Sequence, residues 1–138
     1  MATIKINGVI QGTGDGPDNL LKDACGAASA GATVSIVDGD YTTKNEEISI
    51  GRNITLEADA ANPNTVRIWR ISFTSGTLTF SKKTFELFRD ANGYASLKMS
   101  SGTSLALDSA TVDCKRITLL GSNTITLNNS TLSIYEFT

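Results

Sequence analysis

Apolar and polar residues alternate along this chain in short triplets, and the triplets recur. Residues 53–56 with 65–68, 77–80 with 84–87, 104–107 with 111–114, and 124–127 with 131–134 all read polar, apolar, variable, apolar. A further triplet precedes each pair: Ile48-Ser-Ile50, Ile71-Ser-Phe73, Leu97-Lys-Met99 and Ile117-Thr-Leu119. Alternation of this kind predicts strands whose outer two side chains face a core while the middle one faces solvent. One such unit cannot bury its apolar side alone and must stack on its neighbours. The pattern therefore predicts a solenoid of about four to five coils with three short strands per coil. Along the column Ile54, Leu78, Leu105 and Ile125 the spacings are 24, 27 and 20 residues, so loops absorb insertions while the strands keep register.

The first 31 residues follow different rules. Residues 3–6 predict one strand, the glycine-rich stretch 11–17 a turn, and residues 18–30 a helix that stops at Gly31. Leu20, Leu21, Ala24, Cys25 and Ala28 share one helical face, with Asp18 near the start. A strand over 34–37 then breaks at Asp38-Gly39. The organisation expected is one domain over 1–138, with an N-terminal strand and cap helix over 1–31 and coils over 32–138.

Composition narrows the function classes. The chain has 138 residues, 40% of them hydrophobic, and a formal charge of −2, enough for one continuous core. No segment approaches the ~20 apolar residues of a membrane span, and the start lacks the charged and apolar regions of a secretory signal. Weak acidity without a basic block argues against nucleic acid as partner. With no histidine and two cysteines, zinc ligation and histidine-based triads are excluded, and no metal or cofactor is expected. Cys114 takes the inward position matched by Ile68, Leu87 and Ile134, that of a small buried apolar side chain; no disulfide with Cys25 is expected.

A short helix, an Ala-Gly spacer, Val34-Ser-Ile-Val37, Gly39-Asp-Tyr-Thr42, and Ile48-Ser-Ile50 followed by Asn53-Ile-Thr-Leu56 together resemble the N-terminal cap and first coil of pectin-lyase-like right-handed parallel β-helix proteins. The resemblance covers residues 18–58 by motif and the rest by repeat pattern. It implies a right-handed β-helix with the helix plugging its N-terminal end. It implies no single activity, because that fold serves polysaccharide lyases and hydrolases, carbohydrate-binding proteins, adhesins and phage tailspikes.

Three sets of residues are candidates for function. Arg67, Glu86, Asp113 and Ser133 form an outward column in which Glu86 and Asp113 lie one rung apart, ~4.8 Å, close enough to share a cation or proton. Charged residues that solvate a sheet and pair across rungs give the same column, and two carboxylates fall short of a calcium site. No lyase or glycosidase motif surrounds them, so no catalytic residue is assigned. Trp69, one position past the inward Ile68, is expected outward at a strand end, where it could stack on a sugar or a subunit. Lys82-Lys83 and Lys115-Arg116 are expected at turns and solvated, and Phe88 and Tyr94 belong to the longest insertion.

The third set is a face without charge or bulk. Asn53, Thr77, Ser104 and Thr124 form one outward column, Thr55, Thr79, Ala106 and Thr126 another, and Thr65, Thr84, Thr111 and Thr131 a third beside it. Threonine is a good outward strand residue, which accounts for the pattern in one reading. A subunit interface is the second. Ice binding is the third, although only Thr77-Leu-Thr79 and Thr124-Ile-Thr126 fit its Thr-x-Thr rows. At the C-terminal end Tyr135 and Phe137 are expected either to fold over the last rung or to leave it to another subunit. These features together suggest a non-enzymatic structural protein that self-associates or docks through its flat threonine-rich face into a homo-oligomer or larger assembly, such as a phage capsid-decorating or tail-associated virion component. The alternative is a carbohydrate-binding or lyase-like domain with a glycan partner.

Overall fold

The computed structural model describes residues 2–14, 17–38, 40–41, 47–88 and 95–138. The chain forms an all-β parallel β-helix of about four turns with one helix. In chain order the elements are β1 (Ala2–Ile6), β2 (Val9–Gly14), α1 (Pro17–Ala27), β3 (Ala32–Ile36), β4 (Asp40–Tyr41), β5 (Glu47–Ile50), β6 (Ile54–Ala58) and β7 (Val66–Ile68). They continue with β8 (Arg70–Phe73), β9 (Thr77–Leu87), β10 (Leu97–Met99), β11 (Ser104–Leu119), β12 (Thr124–Asn128) and β13 (Thr131–Phe137).

Stacking follows the expected triplets. On the first face Ile48, Ile71, Leu97 and Ile117 lie in register through β5, β8, β10 and β11. The second face carries the column Ile6, Val34, Leu56, Phe80, Leu107 and Leu127 through β1, β3, β6, β9, β11 and β12. The third aligns Val66, Phe85, Val112 and Leu132. From Ile48 to Ile117 the inward residues are buried, Phe73, Phe80 and Phe85 completely so. Phe80 and Phe85 meet edge to face with ring centroids 5.0 Å apart, an arrangement that suits the ring quadrupoles.

Strands run through the corners instead of stopping there. β9 and β11 each cover more than one face, and the bend is taken by residues with positive φ: Lys82 and Lys83 in β9, Ser109 in β11, and Asn129 between β12 and β13. Left-handed backbone is costly for residues with a Cβ, so these corners need support from their surroundings. Lys83 supplies some, its ammonium donating to the carbonyls of Asn62 and, at 3.2 Å, Ala60. Lys82 pairs with Glu57 at 3.2 Å. These two lysines thus hold a corner and its loop; they are not merely solvated turn residues.

The N-terminal end differs from expectation in one element. Residues 9–14 form β2, an antiparallel partner of β1, where the sequence suggested a turn over 11–17. Asn7 and Gly8, with φ of 49° and 84°, make the two-residue connection that favours a type I′ hairpin. Helix α1 starts at Pro17 and ends at Ala27, three residues short of the expected stop. Arg52 takes its last carbonyls, Nη1 donating to Ala28 O at 2.6 Å and Gly26 O at 3.1 Å, which fixes the cap to the first coil. Leu21, Ala24, Cys25 and Ala28 are buried against the core, as their shared face requires.

Candidate functional site

The outward column Arg67, Glu86, Asp113, Ser133 exists in the expected register. Each carboxylate, however, has its own cation: Glu86 Oε1 lies 3.6 Å from Arg67 Nη2, and Asp113 Oδ2 lies 3.6 Å from Lys115 Nζ. Among the described residues no group of three or more acidic or thiol side chains could hold a metal ion. The two adjacent carboxylates are therefore neutralised separately, Glu86 by Arg67 within the column and Asp113 by Lys115 beside it, as on a solvated sheet.

Trp69 is not exposed. It is 6% accessible and buried in a bend between β7 and β8, with the Arg70 guanidinium 5.9 Å from its ring. Alternation would place it outward only if the strand continued past Ile68; the strand ends there, and the indole is buried at the bend without joining the continuous core. Its Nε1 has no hydrogen-bond partner among the described residues. Trp69 is a packing residue at a corner, and the sugar platform expected there is absent.

The same corner carries an aromatic arrangement one rung on. Ile68, Leu87, Cys114 and Ile134 are in register, so Trp69, Phe88, Lys115 and Tyr135 follow them in consecutive rungs. Phe88, Lys115, Tyr135 and Glu136 line a groove of about 270 Å³. Lys115 Nζ sits 4.3 Å from the centre of the Tyr135 ring, and the Arg67 guanidinium 5.6 Å from that of Phe88. Both contacts are in the range in which ring faces attract cations. Glu136 Oε2 lies 3.9 Å from Arg116 Nε. Lys115 and Arg116, expected at a turn, are part of β11 and bonded to neighbours. The sequence signal for this groove is the position after each last inward residue, read down the rungs. Tyr94 lies outside the described residues.

The uncharged columns are also in register, with Thr55, Thr79, Ala106 and Thr126 stacked on the second face. Asn53 does more than stand on the surface: its Oδ1 accepts from Thr77 N at 2.8 Å and ties one rung to the next. Thr65, Thr111 and Thr131 are exposed and Thr84 is half-buried. The face is not uncharged to its margin, since the adjoining outward column holds Lys5, Glu57 and Asp108.

Both ends of the solenoid expose apolar side chains, in unequal amounts. At the C-terminal end Leu120, Leu127, Tyr135 and Phe137 are 51, 49, 63 and 63% accessible. Tyr135 and Phe137 thus do not fold over the last rung; Tyr135 lies along the corner column, and Phe137 continues the inward column of Ile117. Cys25 and Cys114 are free and buried, and burial pushes each thiol up to about 12. Both are packing residues.

No protein-family model matches this chain, and neither a curated protein nor a solved structure matches it significantly.

Proposed function

We propose that this chain is a non-enzymatic structural module that works by assembling through the exposed apolar rung that β12 and β13 form. The observation that carries the reading is the rung of β12 and β13: Leu127 and Phe137 continue columns that are buried from Val34 to Leu107 and from Ile48 to Ile117, yet they are 49 and 63% accessible. An apolar rung with free strand edges is a hazard that proteins cover or pair. The pairing of Glu86 and Asp113 with separate cations supports a structural role over acid–base chemistry. A short rod of this kind suits a larger protein assembly, and a capsid-decorating or tail-associated virion component is the setting proposed. Sedimentation velocity of the full chain, from low to high micromolar concentration, should show species larger than a monomer that grow with concentration. A single monomeric boundary across that range would remove the reading.

A second reading has its own observation, the groove between Phe88 and Tyr135. Two aromatic rings with an ammonium on the rung between them can hold a pyranose, ring faces stacking on its apolar side while Lys115 and Glu136 meet hydroxyls. On a glycan array the chain should then give hits that Tyr135→Ala weakens by about tenfold or more, the loss of one stacked ring. An array without hits would leave this reading unsupported.

A further inference from the structure

Resting on the assembly reading, we infer that copies of this chain stack head to tail, the outer edge of β12 in one copy pairing in parallel with the outer edge of β2 in the next. The two strands are the terminal members of one sheet, ordered β2-β1-β3-β6-β9-β11 with β12 beyond β11. Among the described residues nothing pairs with the far side of either.

Strand direction decides the partner. β1 is antiparallel to β3 and β2 is antiparallel to β1, so β2 runs the same way as β3, β6, β9, β11 and β12. A second copy displaced along the solenoid axis therefore presents β2 to β12 in the direction the sheet already uses. The inward columns continue as well. Val9 opposes Ile6, and Ile6 begins the column that ends at Leu127, so in straight register Val9 of one copy falls on Leu127 of the other. These are the exposed aliphatics of the two edges, 63 and 49% accessible. Ile10, 59% accessible, opposes Lys5 and so continues the outward column that ends at Asn128.

Neither edge carries the devices that keep edges apart. Residues 9–14 and 124–128 contain no charge and no proline, whereas natural edges are commonly blunted by lysine or proline. A two-fold contact between two C-terminal ends would pair β12 with itself and leave Val9 and Ile10 uncovered in both copies. In straight register the head-to-tail contact sets Val9 and Ile10 against Leu127 and Asn128, so the exposed aliphatics of both edges are covered at once. It is heterologous and does not close in a straight stack, so rods of increasing length should form.

Single-cysteine variants test the geometry in the full chain. Adjacent strands bring Cα atoms to about 4.8 Å, within the span a disulfide bridges. The native thiols are buried, so an added surface cysteine is the reactive one. Ile10→Cys mixed with Asn128→Cys under mild oxidation should give a disulfide between the two variants in clear excess over either variant with itself. Ile10→Cys mixed with Thr124→Cys, off register, should give much less. Val9→Asp, at a position 63% exposed in the single chain, should weaken the larger species by at least about tenfold, because assembly would bury its charge. Disulfides of Asn128→Cys only with itself would overturn the inference in favour of a two-fold contact. Larger species with no preferred disulfide would overturn it while leaving the assembly reading standing, and a monomer at all concentrations would overturn both.

Discussion

Phe80→Ala is expected to destabilise the folded chain by about 3–5 kcal/mol, the range for removing a large buried aromatic. Phe80 is wholly buried, stacked between Leu56 and Leu107 in its column and edge to face with Phe85 across the core. The site cannot collapse to fill the gap. Rungs above and below are held about 4.8 Å apart by backbone ladders, so the void persists and its lining loses contacts on several sides. Urea denaturation should show a lower midpoint with an unchanged slope, while Thr126→Ala on the outer face should stay within about 0.5 kcal/mol of the parent. A loss below about 1 kcal/mol for Phe80→Ala would mean that the inward column is not packed as described.

Gly76→Ala is expected to cost about 2–3 kcal/mol, from two separate sources. The backbone at Gly76 has φ +91°, which a residue with a Cβ adopts only at a penalty. A Cβ there would also lie 2.3 Å from Asn53 Oδ1 and 3.1 Å from Asn53 N. Relief would require Asn53 to move, and with it the bond to Thr77 N that joins the first coil to the second. Gly102 provides the comparison: its φ is +83°, but nothing lies within 4 Å of an added Cβ. Gly102→Ala should therefore show the backbone cost alone, about 1–2 kcal/mol, in the same thermal or urea unfolding measurement. Equal losses at the two positions would show that Asn53 yields freely.

Much of the solenoid is legible because its inward positions are large aliphatics at strict two-residue spacing, and this fixes both the faces and the register of Ile54, Leu78, Leu105 and Ile125. Legibility ends where alternation ends. Alternation points Trp69 outward only along a straight strand, and the backbone bends after Ile68. Lys82 and Lys83 look like solvated turn residues because their partners, Glu57 and the carbonyls of a preceding loop, are distant in sequence. The hairpin of β1 and β2 is signalled by Asn7-Gly8 between Ile6 and Val9, but Gly12, Gly14 and Gly16 give a competing turn signal four residues on. The candidate groove needed more than pattern. Phe88, Lys115, Tyr135 and Glu136 come from three rungs, and only the corner geometry shows that the positions after the inward strands share one surface.

The unequal ends also give the chain a direction in which to unravel. At one end α1 and the hairpin lie on the first coil and Arg52 clamps the helix, whereas at the other β12 and β13 rest on β11 alone. In a stack where each unit contacts only its neighbours, stability is local and propagates rung by rung, like a zipper with one end sewn shut. Fraying thus begins at β12 and β13, and the hydrogen-bonded ladders nearer the helix open last.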